Sequence, residues 1–344
     1  MNTAEILAWL TAKDEQRLEQ LWAEADRVRR ANVGDAVHLR GLIEISNYCV
    51  RRCAYCGLRV ERGELVRYRM TSDEVLGSAR DALKFGYGTV VLQAGEDPGW
   101  RAQEIADVVR RIKAETPLAV TLSLGERSPE DWRLWRATGA DRYLLRFETS
   151  NRALYDLIHP VGPNGKLSDR IAMLRELRAI GYEIGSGVMI GIPGQTYADF
   201  VHDLEIFREL DLDMIGVGPF IPHPDTPLGK DAVVAGSEQP PADELMTLKM
   251  IALTRLMCPR ANIPSTTALA TIDLEQGREL GLQRGANIVM PNVTPRKYRA
   301  LYEIYPGKAC ISEDGAQCSF CLRNRLAAIG RPLGKGQGSA LRSV

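Results

Sequence analysis

The sequence predicts an α/β fold, a closed (β/α)8 barrel of the TIM type with N-terminal helices and a C-terminal cysteine-containing extension. Two observations carry this. Eight short apolar runs rich in β-branched residues recur along the chain, and longer amphipathic segments separate them. Strands alternating with helices imply a parallel sheet with crossover helices, and eight such units suit a closed barrel. A doubly wound open sheet alternates likewise, so the strand count decides between them.

Taken in order, residues 1–32 are charged and periodic. Ile6, Leu7, Leu10, Leu18, Leu21 and Trp22 recur at helical spacing, which predicts two short helices and a cap over residues 1–35. The predicted strands are HLRGLIEIS (38–46), TVVLQ (89–93), AVTLSL (119–124), RYLLRFE (142–148), EIGSGVMI (183–190), MIGVGPF (214–220), NIPSTTA (262–268) and ANIVMP (286–291). Helix starts are signalled between them. Thr71 with Glu74 and Thr196 with Asp199 have capping-box spacing, and Ser128 precedes Pro129 at a first helical position. The barrel is assigned to residues 36–295 and the extension to 296–344, whose tail GKGQGSALRSV (334–344) reads as flexible.

Composition narrows the function. The 44 basic residues among 344 balance 44 acidic ones, which argues against nucleic acid or an anionic membrane surface as the main partner. No run approaches the ~18 apolar residues of a spanning helix, and the N-terminus has no apolar core of signal-peptide length. A cytoplasmic protein is expected. Six of the seven cysteines fall in two tight groups, a pattern that points to metal in a reducing compartment.

The first group, CVRRCAYC, holds Cys49, Cys53 and Cys56 just after the first predicted strand. Three thiolates can hold three irons of a [4Fe–4S] cube and leave the fourth iron open for a ligand. The alternative is a zinc knuckle or a set of buried thiols. Other polar residues fall at the ends of predicted strands or, for Arg170, at a helix start. Gly95-Glu96 offers a carboxylate suited to an ammonium, Glu148 could accept from a diol, and Arg170 could pair with a carboxylate. GIPGQT (191–196) offers glycines where backbone approaches a ligand closely, and Thr266 and Thr267 could donate to a small anion. Each has a plainer reading: an ordinary loop, an Arg146–Glu148 pair, a solvated arginine, a tight turn, β-branched packing. His223 reads as structural, and Cys258 as a small buried apolar residue. Arg51, Arg52, Arg59, Arg62, Arg67 and Arg69 make the cysteine loop basic, either as a solvated loop or as a docking face for an acidic electron donor. The second group, Cys310, Cys318 and Cys321, could hold a second iron–sulfur cluster, a zinc with an outside ligand, or nothing.

The C-x3-C-x2-C spacing, with Tyr55 before the last cysteine, resembles the signature of the radical S-adenosylmethionine (SAM) superfamily. The order CVRRCAYCGLR, VVLQAGEDP, LLRFETSN, GVMIGIPGQT, DMIGVGPFIPHPDTPL, NIPSTTA, GANIVMPN and the late cysteine triad resembles the HydE family, the radical SAM maturases of [FeFe]-hydrogenase. The resemblance spans about residues 38–325. It implies a SAM cluster on Cys49, Cys53 and Cys56 and an accessory [2Fe–2S] or [4Fe–4S] cluster on Cys310, Cys318 and Cys321. It implies SAM and substrate pockets at Gly95, Glu96, Thr121, Ser123, Glu148, Arg170, Met214, Thr266, Thr267 and Tyr298. It further implies a 5′-deoxyadenosyl radical acting on a cysteinate-bound iron carbonyl cyanide complex toward a bridging dithiolate. The partners would be a low-potential electron donor and the other hydrogenase maturases. Phe147 departs from the family pattern, in which a histidine is expected between Arg146 and Glu148. The alternatives are a radical SAM enzyme acting on an amino acid, as in methylornithine synthesis, and a non-catalytic iron–sulfur carrier.

Overall fold

The computed structural model describes residues 1–162, 165, 167–230, 239–311 and 315–341. Its seven strands, among the described residues, form one curled parallel sheet. They are β1 (His38–Ser46), β2 (Thr89–Ala94), β3 (Ala119–Ser123), β4 (Arg142–Leu144), β5 (Glu183–Ile190), β6 (Met214–Pro219) and β7 (Ile288–Val289). Their order is β6-β5-β4-β3-β2-β1-β7, each neighbour parallel to the next. Such a run of sequential neighbours is a sheet curling into a barrel.

The expected eighth strand at 262–268 is corrected. Asn262 bridges Met214 and Pro264 bridges Ile288 as isolated pairs, so the segment spans the gap between β6 and β7 without becoming a regular strand. Pro264 has no N–H for a ladder. Two residues on, Thr266 leaves the strand direction to cap the helix Thr267–Ile272, accepting from Leu269 N–H at 3.3 Å. β4 also stops short of the predicted 142–148. Glu148 takes a left-handed φ of 63° and rejoins the sheet through one bridge to Val188. The run 286–291 yields the short strand β7.

Helix starts follow the capping signals. Thr71 and Thr196 form full capping boxes with Glu74 and Asp199, and Ser128 caps a helix with Pro129 in its first turn. The N-terminal helices are Thr3–Leu10 and Glu15–Val33, the second longer than its reading as a short helix. Ile6, Leu10, Leu18, Leu21 and Trp22 belong to the same buried core as the strands. Lys249 fastens the join between the two helices, donating to the carbonyls of Leu10 (2.9 Å) and Ala12 (2.6 Å).

The tail is not loose over its described part. Residues 334–339 run beneath the N-terminal ends of the strands. Thr89 Oγ1 donates to the Gln337 carbonyl at 2.8 Å, Arg40 to the Gly338 carbonyl at 3.0 Å, and Arg142 to Ser339 Oγ at 2.9 Å. Glycines permit this approach, since a Cβ at Gly88 would lie 1.7 Å from the Gly336 carbonyl. Two buried arginines inside the lower barrel need acceptors, and the tail's carbonyls supply them. Residues 342–344 of the predicted flexible tail lie outside the described residues.

Candidate active site

The C-terminal ends of the strands enclose a cavity of about 330 Å3, within the ~300–1,000 Å3 of small-molecule sites. Cys56 and Tyr55 of the cysteine loop line it, with Ser123, Glu148, Arg170, Met214, Thr266 and Thr267. The family resemblance assigns these last six to SAM and substrate pockets, and the fold brings them to one cavity.

The cysteine loop follows β1 and is tied at its base and along its length. Ser46 bridges Arg69, and Asp97 holds both, at 2.6 Å to Ser46 Oγ and 2.7 Å to Arg69 Nε. Arg67 donates to the carbonyls of Asn47, Leu58 and Arg59. The six loop arginines all find partners within the chain: Arg51 with Glu96 and Glu126, Arg52 and Arg59 with Glu61, Arg62 with Asp225, Arg69 with Asp97. Their charge is thus largely spent inside the molecule.

Cys53 is buried, and Cys49 and Cys56 are partly so. Burial, followed by the neighbouring Cys53, pushes the Cys49 thiol up to about 11. Burial and the same neighbour raise Cys56 further. Bare thiols here stay protonated at neutral pH, and metal would have to displace the protons. The setting fits a cluster. The N–H groups of Arg51 and Leu58 donate to Cys49 Sγ and Cys56 Sγ, each at 3.4 Å, contacts that favour the thiolate. Gly95 must be glycine, because a Cβ would come 2.6 Å from that of Cys49. Among the described residues no three His, Cys, Asp or Glu side chains converge on a point that one metal ion could occupy. A four-iron cube holds its thiolates further apart than a single ion does.

Glu96 follows Gly95 and lies against Gly125, where a Cβ would meet its Cγ at 2.0 Å. Its Oε1 is buried and makes no hydrogen bond, while standing 3.5 Å from Arg170 Nη2. Burial holds this carboxyl above its usual range, with Arg170 opposing. Arg51 Nε is likewise buried without a hydrogen bond, 3.8 Å from Glu96 Oε2. An unfilled acceptor beside an unfilled donor suits the ammonium and carboxylate of an amino-acid headgroup. Arg170 Nε is held by Glu126 at 2.9 Å, and Glu126 also reaches Arg51 at 3.4 Å. Arg146 grips both oxygens of Glu148 at 2.9 Å and donates to the Val188 carbonyl, fixing that carboxylate at the cavity wall.

Gly95 and Glu96 do not line the cavity themselves but adjoin Cys49 and Arg170, and two predicted residues stand elsewhere. Thr121 lies lower in the barrel, beside a void of about 10 Å3 with Arg142, Glu183 and Met214. Tyr298 stacks on Tyr68 at 4.5 Å and donates to Glu74 at 3.0 Å, away from the cavity lining. His223 is structural, buried between Arg62 and Glu303 with Nδ1 accepting from Asp225 N–H. The late cysteines do not reach the cavity. Cys310 lies 3.7 Å from Arg278, while Cys318 and Cys321 sit one turn apart on the helix Gly315–Ala328.

Sequence reasoning missed Glu44, Gln93, Tyr302, Tyr305 and Lys308, all of which line the cavity. Glu44 forms a buried ion pair with Lys308 and accepts from Asn292 at 3.0 Å. Its signal was present: a lone carboxylate inside the apolar run GLIEIS. Lys308 gave none, because only the fold carries the extension back over the barrel mouth.

The sequence model of the radical SAM superfamily matches residues 43–225, from within β1 to the loop after β6. Fold and site thus define a radical SAM enzyme, whose cofactors are a [4Fe–4S] cluster and SAM. The [FeFe] hydrogenase maturase subunit HydE of Thermotoga maritima is 46% identical over 333 residues, 97% of this chain and 92% of that protein. The 3-methylornithine synthase of Methanosarcina acetivorans is 30% identical over 291 residues, 84% of this chain and 79% of that protein. The crystal structure of methylornithine synthase (PylB) has the same fold, with TM-score 0.80 at 24% identity, covering 97% of this chain and 94% of that one. The chain belongs to the HydE family of the radical SAM superfamily.

Proposed function

We propose that this chain acts in assembly of the [FeFe]-hydrogenase cofactor. Its substrate would be a small iron complex bearing cysteinate, carbon monoxide and cyanide, converted toward the bridging dithiolate. The observation that carries this reading is the opening of the three-cysteine loop onto one polar-tipped cavity, in a chain 46% identical to a HydE maturase. Cys49, Cys53 and Cys56 would hold the cluster through three of its irons. When bound, cluster and SAM supply a 5′-deoxyadenosyl radical. Glu96 Oε1 accepts the SAM ammonium, Arg51 and Arg170 face its carboxylate, and Glu148, oriented by Arg146, accepts from the ribose diol. Gly95 lets the backbone pass close to Cys49. Ser123, Met214, Thr266 and Thr267 face the substrate across the cavity, with the apolar wall excluding water.

The same reading assigns a second [2Fe–2S] or [4Fe–4S] cluster to Cys310, Cys318 and Cys321. It takes residues 1–35 as a helical cap, 36–295 as the barrel, with segment 262–264 as its eighth, closing stave, and 296–344 as the extension. The partners are a low-potential electron donor and the other maturases, in the cytoplasm. No helix among the described residues is long and apolar enough to cross a membrane.

The test has two parts. Electron paramagnetic resonance of the reduced, reconstituted chain is recorded with and without SAM, and hydrogenase maturation is assayed with and without the chain. A SAM-dependent spectral change together with chain-dependent maturation is expected. A rearranged lysine product with no effect on maturation would move the assignment to the methylornithine synthases, which the 30% identity keeps in view. A spectrum indifferent to SAM would leave a metal carrier.

A further inference from the structure

We propose that His159 is a positioning residue that locks Tyr55 of the cysteine loop to Arg170 and so sets the SAM-facing wall of the cavity. The inference rests on the SAM-site reading above.

Tyr55 stands between Cys53 and Cys56, and its ring packs on a small apolar cluster of Leu154, Ile158 and Ile192, apart from the main core. Its hydroxyl lies 2.9 Å from His159 Nε2, with the two rings edge to face at 5.4 Å. Arg170 Nη1 approaches the same nitrogen at 3.4 Å while donating to the Arg146 carbonyl at 2.8 Å. On the other side of the ring, Nδ1 faces the Tyr155 carbonyl at 3.2 Å, and the Tyr155 ring stacks on the imidazole at 4.3 Å. These contacts settle the tautomer. Nδ1 must carry the hydrogen to satisfy a carbonyl, and Nε2 must be bare to accept from Tyr55. Burial, then the charges of Arg170 and Arg51, hold the imidazole well below its ordinary range, so it stays neutral.

The ring is 1% exposed and does not line the cavity, but both groups that meet on its Nε2 do. One belongs to the cysteine loop and the other to the carboxylate network around Glu96. The backbone runs the same way: Ala54 N–H donates to the Ile158 carbonyl at 2.9 Å, next to His159. His159 therefore joins the loop to the SAM-binding charges at a single acceptor atom.

The experiment titrates SAM into the reduced, reconstituted full chain and follows the cluster's spin signal. Four variants are compared: Tyr55→Phe, His159→Leu, the two together, and His159→Gln. Iron per chain and unfolding temperature are measured beside each. Either single loss should raise the half-response SAM concentration by roughly 3- to 10-fold, the scale of one lost hydrogen bond, with iron unchanged. The double variant should be no worse than His159→Leu alone, because the Tyr55 contact is already lost there. His159→Gln should recover most of the response, its amide oxygen replacing Nε2 as acceptor. An unchanged half-response in His159→Leu would overturn the proposal, as would a double effect equal to the product of the singles. Iron loss that His159→Gln does not repair would also overturn it, in favour of a merely structural role. Should His159→Leu not fold, Tyr55→Phe, which removes one oxygen, carries the same test. A wild-type signal that ignores SAM would instead bring down the site reading and this proposal with it.

Discussion

The two cysteine triads have the same number of thiols and different surroundings. The first sits on a loop held by Arg67, Asp97 and the Ser46–Arg69 bridge, and Cys56 opens into the cavity beside Arg170 and Glu148. In the second, Cys318 is buried and Cys321 exposed on one helix, next to Phe320, whose ring is largely in solvent. None of its three cysteines lines the cavity. The number of cysteines therefore does not distinguish the two groups. What distinguishes them is the neighbouring space.

The sharpest way to break that contrast is to remove cysteines. Cys53→Ala should abolish 5′-deoxyadenosine formation, measured by chromatography after reduction with SAM present. Alanine at Cys310, Cys318 and Cys321 together should leave it standing. Equal losses would mean that the two sites work as one.

Lys308, two positions before Cys310, lines the cavity and pairs with Glu44. Lys308→Met leaves a buried carboxylate with Asn292 as its remaining side-chain donor, and should cost about 3–5 kcal/mol in denaturant unfolding. Pairing it with Glu44→Met should lose less, since neither charge is then stranded. Glu148→Gln weakens an acceptor at the first site alone, and should raise the SAM concentration for half-maximal cleavage by roughly 10- to 100-fold.

The smallest effect concerns the support behind Glu148. Asp203 accepts from Ser150 N–H and Oγ, both at 2.6 Å, two residues beyond Glu148. Burial pushes its carboxyl from 3.8 up to about 7. The folded state thus holds this proton more tightly than the unfolded chain. The stability it contributes is full below about 3.8 and is lost as pH rises through about 7. Asp203→Asn should flatten that part of the stability–pH curve, as read by thermal unfolding across the range, with little change in SAM cleavage.

Much of this was legible in the chain because local rules carried it. Capping boxes at Thr71 and Thr196 marked helices that formed, and six residues that the family resemblance assigns to SAM and substrate pockets line one cavity. The failures share a cause. Pro264 and the cap at Thr266 interrupt a run that composition reads as strand, and a glycine-rich tail reads as flexible until two buried arginines claim its carbonyls. Tyr298 lies outside the cavity lining for a similar reason, since its partners Tyr68 and Glu74 are distant in sequence.

The sequence by itself determined the parallel α/β order, the helix starts and the three-cysteine loop, because each depends on spacing within a few residues. Only the tertiary structure decided which polar atoms stay unfilled at Glu96 and Arg51, how Glu44 meets Lys308, and that His159 stands behind Tyr55. Those are matters of burial and of pairing across long stretches of chain, and a charge's neighbours exist only once the barrel has curled around it.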